Sequence, residues 1–191
     1  MCTFGINTNT FRLPLPKSLS TIGFAGEFLT RQQTAELRNA SFREAKSYKR
    51  GYLVEEIAQE LNLPFIIAAD ASSRSTFISM PGYYNKVDCV ICCSEDEGAG
   101  GTVLEGGAAG RLILTTAVGS YSDYVTEQGA IGLSVEENEF KSQAKDILSY
   151  YINNSGAFRD KCAEIRNFAL TKYDLSNYID EDRKSTRLNS S

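Results

Sequence analysis

VDCVICCSEDEGAGGTVLEGGAAG, residues 87 to 110, decides how this chain folds. VDCVICCS is β-branched and cysteine-rich, the composition of a strand buried on both faces. It breaks into an acidic turn and then a glycine-rich loop, with Gly98, Gly100 and Gly101 bare of side chains and Ala99 adding only a methyl. A helix opens near residue 101. At a strand–loop–helix junction the first helical N–H groups lack an intrahelical partner and the helix dipole places partial positive charge beside them, so phosphate oxygens are favoured there.

Glu97 stands before that helix start and Glu105 about one turn inside it. A carboxylate accepting from two vicinal hydroxyls makes charge-assisted hydrogen bonds worth roughly 1.5 to 3 kcal/mol each when shielded from water. Two carboxylates beside phosphates repel unless hydroxyls separate them and cations lie elsewhere. Glu97 facing a sugar and Glu105 facing a ribose would satisfy that charge layout, which is that of a nucleoside-diphosphate sugar. The same local pattern also suits a solvated helix start, because acids in a first turn complement the dipole.

Glu97, Gly98, Gly100 and Glu105 resemble the E-G-x-G and E-x7-E signature of the retaining, GT-B-fold glycosyltransferases of family four. Further pieces match in order. GINTNTF at 5 to 11 resembles the family's G-V-D-x-x-x-F linker, TIGFAGE at 21 to 27 its first strand and turn, and YYNKVDCVICCSEDEG the helix and strand entering the site. LEGGAAGRLILTTAVGSYSDYV is similar to the family's L-E-A-M-A-x-G-x-P-V-I-x-T-x-x-G-x-x-E.

The resemblance implies an α/β fold, a Rossmann-like parallel sheet flanked by helices, forming the C-terminal half of a GT-B glycosyltransferase. It implies that Glu97 touches the donor sugar, that the amides of Gly98, Ala99, Gly100, Gly101 and Thr102 hold the distal phosphate, and that Glu105 binds the ribose hydroxyls. Gly26 joins this set at the end of the first strand. A family Lys-Gly position, here Lys49, Arg50 and Gly51, implies that Arg50 or Lys49 neutralises the leaving diphosphate. The family's turn arginine is replaced by Glu27, leaving Arg31 and Arg43 as candidates. Family members need no metal or cofactor, and the donor diphosphate itself helps to remove the acceptor's proton.

The implied function is that of a donor-binding domain, moving a hexosyl group from a UDP- or GDP-linked sugar to a glycan, lipid or other acceptor. The acceptor would bind through an N-terminal domain, and the chain would begin at the hinge between the halves as a gene fragment. A non-catalytic nucleotide-binding module is the alternative. A sugar-nucleotide epimerase of related fold would need a general base that the histidine-free donor half does not offer.

Three departures stand out. Gly106 and Gly107 replace an Ala-Met pair, each weakening a helix by roughly 1 kcal/mol relative to alanine unless close packing requires them. Arg111 occupies a proline position and is expected on the surface. Gly119 and Ser120 end the following strand, where the glycine serves a turn or an amide approaches the donor.

With 191 residues, 42% of them hydrophobic, the chain can bury one substantial core. The division expected is a linker over 1–19, a nucleotide-sugar domain over 20–181, and over 182–191 a tail, DRKSTRLNSS, that looks like a translated sequencing adapter. That tail holds one acid and three cations, so without it the net charge moves from −4 to −6. No basic, aromatic-interleaved face is present for nucleic acid. The absence of histidine rules out a Ser-His-Asp triad, a Cys-His pair or a histidine metal site in this chain. Cys89 and Cys92, three apart on a strand, point to opposite faces and cannot share one ion. Five cysteines, an odd number, suit a reducing cytosol, and no stretch has the length and apolarity of a signal peptide or membrane span. A cytoplasmic location follows as the expectation, with peripheral membrane contact left open by lipid-linked acceptors.

Hydrophobic periodicity predicts strands near 21–28, 64–70, 88–94, 111–116 and 131–135. Helices are predicted near 50–61, 80–86, 101–109 and 121–127, then two closing helices, one through FKSQAKDILSYYIN and one over 158–173. The polar stretch between 29 and 48 reads as either helix or extended loop.

Overall fold

The computed structural model describes residues 5–39, 48–69, 79–96 and 100–176. Five strands form one parallel sheet: β1 (Ile22–Glu27), β2 (Phe65–Ala69), β3 (Cys89–Cys92), β4 (Leu112–Thr116) and β5 (Ile131–Leu133), in the order β2-β1-β3-β4-β5. The helices are α1 (Arg31–Asn39), α2 (Gly51–Glu60), α3 (Met80–Tyr84), α4 (Gly101–Ala108), α5 (Tyr121–Thr126), α6 (Glu137–Asn153) and α7 (Ser155–Tyr173), after a 3-10 turn at Thr8–Phe11.

Every residue of β3 and β4 is buried. Central strands of a parallel sheet are covered on both faces, which is why their sequences, CVIC and LILTT, run on without polar alternation. Helix α2 packs on β1 and β2, α6 on α2 and β5, and α4 on β3, β4 and α7. Three helices end alike. Asn62 (φ 54°), Gly110 (φ 69°) and Gln128 (φ 66°) adopt the left-handed conformation just past α2, α4 and α5. In each case the following amide reaches back five residues, Leu63 to Ala58, Arg111 to Gly106 and Gly129 to Tyr124, which satisfies orphan carbonyls.

The polar stretch before α2 contains helix α1, which buries only Thr34. The two successive glycines of α4 meet close neighbours: a Cβ on Gly106 would lie 2.8 Å from the Ile113 Cδ1, and one on Gly107 3.4 Å from the Ala169 Cβ. Their cost in helix propensity is the condition for α4 to approach β4 and α7.

The expected linker lies against this body where it is described. Ile6 bridges to Asp174, with its amide donating to the Tyr173 carbonyl at 2.8 Å and its own carbonyl accepting from Leu175 at 2.9 Å. Thr8 donates to the Asp174 carboxylate, and Phe11 is fully buried against Tyr84. Arg111, expected on the surface, is 3% exposed. It stands just before β4 and donates to the carbonyls of Ala109 (3.0 Å), Val87 (3.3 Å) and Pro14 (2.5 Å). Arg166 donates to the Leu13 carbonyl and, at 2.9 Å, to that of Ala109. The surface expectation for Arg111 fails because the 12–16 segment crosses its strand entry and brings carbonyls that need donors. Gly119 (φ 52°) serves a turn, with its carbonyl accepting from the Ser122 amide at 3.3 Å.

Among the described residues no helix is long and apolar enough to cross a membrane. The described cysteines, Cys89, Cys92, Cys93 and Cys162, are all buried, and none of them is in a disulfide.

Candidate nucleotide site

From β1 the chain leaves toward β2 on one side, whereas β3, its other neighbour, leads toward β4 on the opposite side. The carboxyl ends of two such strands diverge into a crevice, the ligand position of open parallel sheets. A narrow crevice with a cavity volume of about 10 Å³ lies there, lined by Phe24, Gly26, Lys49, Ser94, Thr102 and Tyr121 among others. Gly26 and Thr102 are thus brought to one space with Lys49. The Thr102 hydroxyl donates to the Ala25 carbonyl at 3.4 Å, which ties the start of α4 to the end of β1.

Gly100, which has no side chain to offer, is the N-cap of α4, and among the described residues no side-chain cap is made at that end. The amides of Val103 and Leu104 both turn to the Gly100 carbonyl, at 3.1 and 3.3 Å, so those of Gly101 and Thr102 precede the first intrahelical bond. Gly101 is exposed. A helix start with an exposed first residue, sharing a crevice with a lysine, is suited to an anion.

Glu105 is half-buried on α4. Its Oε2 accepts from the Tyr84 hydroxyl at 3.1 Å, while its Oε1 lies 3.9 Å from where a Cβ on Gly101 would be. The carboxylate therefore reaches back along the helix toward its start. Burial pushes its pKa up, opposed by the Tyr84 hydrogen bond. A partly desolvated carboxylate beside a helix start can accept further hydrogen bonds, and hydroxyls supply them without adding charge.

The adjacent cations Lys49 and Arg50 diverge. Lys49 lines the crevice, whereas Arg50 is 4% exposed and turned inward, where its Nε donates to the Cys93 carbonyl and its Nη1 to the Val135 carbonyl, both at 2.7 Å. Arg50 adopts φ 49°, ψ 36°, a left-handed conformation that costs a non-glycine residue roughly 1 to 2 kcal/mol. Arg31 is taken up elsewhere: it pairs with Glu56 at 2.8 Å and Glu137 at 2.5 Å and stacks over the Tyr52 ring. Glu97, Gly98, Ala99 and Arg43 lie outside the described residues.

The sequence offered no sign of Ser94, Tyr84, Tyr121 or Glu95 as site residues. Glu95 is held at 2.8 Å by Arg38 on α1 and at 3.6 Å by Arg50. Its partners are 57 and 45 positions away, and no local pattern marks such pairs. Among the described residues no group of three or more His, Cys, Asp or Glu side chains is placed to hold a metal ion.

Residues 75–169 match the sequence profile of the family described as glycosyl transferases group 1. Among solved structures the chain is similar to the C-terminal domain of a group 1 family glycosyl transferase from Francisella tularensis, at 17% identity and a TM-score of 0.61. That match covers 90% of this chain and 100% of the other. It is also similar to sucrose-phosphate synthase from Thermosynechococcus elongatus, at 16% identity and TM-score 0.64, over 98% of this chain and 52% of that one. Anabaena HepE in complex with UDP and glucose matches at 11% identity and TM-score 0.62, over 96% and 55%. The chain spans about half the length of these last two proteins. No curated protein sequence matches it. Residues 75–169 thus carry the sequence pattern of a group 1 glycosyl transferase, set in the fold of a GT-B glycosyltransferase C-terminal domain.

Proposed function

We propose that this chain is the donor-binding half of a retaining, family-four glycosyltransferase that takes a hexosyl group from a nucleoside-diphosphate sugar. The observation that carries the proposal is the convergence on one crevice of Lys49, Gly26 and the start of α4, with Glu105 directed toward that start from one turn inside. The diphosphate rests against the amides of Gly101 and Thr102 and is neutralised by Lys49; Glu105 holds the ribose. Glu97, with Gly98 and Ala99 beside it, is assigned to the donor sugar by its place in the motif. Positive charge and helix amides stabilise the departing diphosphate as its charge develops.

The acceptor, a glycan or lipid-linked group, binds through a further N-terminal domain, and the reaction runs on the cytoplasmic side with peripheral membrane contact where the acceptor is lipid-linked. UDP and UDP-glucose, found on HepE, are the first donors to test. Calorimetry of the chain with UDP, GDP and their hexose conjugates is the direct experiment. Tighter binding of a conjugate than of its bare nucleotide supports donor recognition, and equal binding favours the non-catalytic nucleotide module. Absence of binding to all of them refutes the proposal.

A further inference from the structure

We infer that Arg50 is a positioning residue: it locks the loops after β3 and β5 and thereby turns Lys49 into the crevice, without itself serving as the diphosphate's counter-charge. The inference rests on the nucleotide reading above and names a division of labour within the Lys49–Arg50 pair.

Residues 48–50 and 93–95 are joined at three points. The Glu95 amide donates to the Tyr48 carbonyl at 2.9 Å. The Cys93 thiol is shared between the carbonyls of Lys49 (3.0 Å) and Arg50 (3.1 Å). In return the Arg50 Nε donates to the Cys93 carbonyl at 2.7 Å. The thiol is fully buried and its pKa is pushed up by that burial, so it remains a donor. The loop is fixed from its other side by Thr116, whose hydroxyl donates to the Ser94 carbonyl at 2.6 Å.

The guanidinium extends this lattice across the sheet. Its Nη1 reaches the Val135 carbonyl beyond β5 at 2.7 Å, so one planar fork spans the ends of two strands separated by β4. Lysine has one point charge and cannot span two carbonyls in fixed directions. The left-handed backbone at Arg50 sends consecutive side chains to different destinations, Arg50 among carbonyls and Lys49 to the crevice. The Arg50 charge is already opposed by Glu95 at 3.6 Å, and among the described residues its buried Nη2 has no hydrogen-bond partner. A direct anion contact through that Nη2 is the rival role, and the experiment separates the two.

The test compares Lys49→Gln, Arg50→Lys and Arg50→Gln in the 191-residue chain, titrated with UDP and GDP over a range of salt concentrations. Positioning predicts that Arg50→Lys weakens binding as much as Arg50→Gln, by about tenfold, because both lose the fork. Both keep the parent's salt dependence, since the screened contact is still made by Lys49. Lys49→Gln weakens binding and flattens the salt dependence. Without nucleotide, both Arg50 variants speed amide exchange at 93–95 and 134–136, and Lys49→Gln does not. If Arg50→Lys retains parental affinity while Arg50→Gln loses both affinity and salt dependence, Arg50 is a charge ligand and the inference is overturned. If the parent binds neither nucleotide, the nucleotide reading itself fails, and unaltered exchange in the Arg50 variants would independently remove the lock.

Discussion

Replacing Glu105 by glutamine tests the ribose assignment with little change in shape. An ionised carboxylate accepts hydrogen bonds worth roughly 1.5 to 3 kcal/mol each, a neutral amide oxygen about 0.5 to 1.5. The difference of about 1 to 1.5 kcal/mol corresponds to roughly tenfold weaker nucleotide binding. The structure keeps that loss separate from misfolding. Tyr84, fully buried, donates to Oε2 at 3.1 Å, and an amide oxygen can accept the same bond. Because burial raises the folded-state pKa of Glu105, its contribution to stability is fully present below the unfolded carboxyl pKa and is lost as pH rises through the raised folded value. At neutral pH the glutamine variant should therefore unfold no more readily than the parent. Binding has the opposite sense: the ionised form accepts the hydroxyls, so parental affinity falls as pH drops through the raised pKa, and the variant loses this dependence. Calorimetry with UDP and 2′-deoxy-UDP from about pH 5 to 8 measures both effects. The parent prefers UDP and the variant shows a smaller preference. An unchanged UDP affinity with an unchanged pH profile would refute the assignment.

Other outcomes follow from packing and charge. Gly106→Ala should lower stability in urea denaturation by about 1 to 3 kcal/mol, since its methyl meets the Ile113 side chain at 2.8 Å; Gly101→Ala, with 3.9 Å to the nearest neighbour, should leave stability nearly unchanged, and equal effects would contradict the packing. Arg111→Lys should cost about 3 kcal/mol by the same assay, because lysine cannot serve the Ala109, Val87 and Pro14 carbonyls together, and a loss below about 0.5 kcal/mol would show that fork to be dispensable. The Arg31 hydrogen bond, followed by that from Lys141, holds the Glu56 carboxyl below its ordinary range. Its stabilising contribution is present above the unfolded pKa and disappears as pH falls through the folded one, so thermal melts of Glu56→Gln should lose less stability on acidification than those of the parent.

Local chemistry made the centre of the fold legible. CVIC and LILTT read as buried strands because both of their faces are covered, and GAGG followed by an amphipathic stretch reads as a loop entering a helix; the structure places β3, β4 and α4 there within a residue or two. The stripe ending at Tyr151 likewise became α6, whose Phe140, Ala144 and Leu148 are buried. Gly26, Thr102 and Lys49, expected together from motif order, line one crevice, which is a matter of geometry at the switch point between β1 and β3.

The destinations of long side chains were decided only by the assembled molecule. Lys49 and Arg50 are adjacent cations in sequence, and the left-handed turn at Arg50 separates them. Arg111 looks like a surface residue until the 12–16 segment lays carbonyls across it. Gly106 and Gly107 look like weak helix positions until β4 and α7 come within contact distance. Sequence patterns record the environment of a residue's own element through the alternation and period of its neighbours. They carry no record of a carbonyl or hydroxyl supplied from a distant element; such groups direct the Arg50 and Arg111 forks, and burial, opposed by the Tyr84 hydrogen bond, shifts the pKa of Glu105.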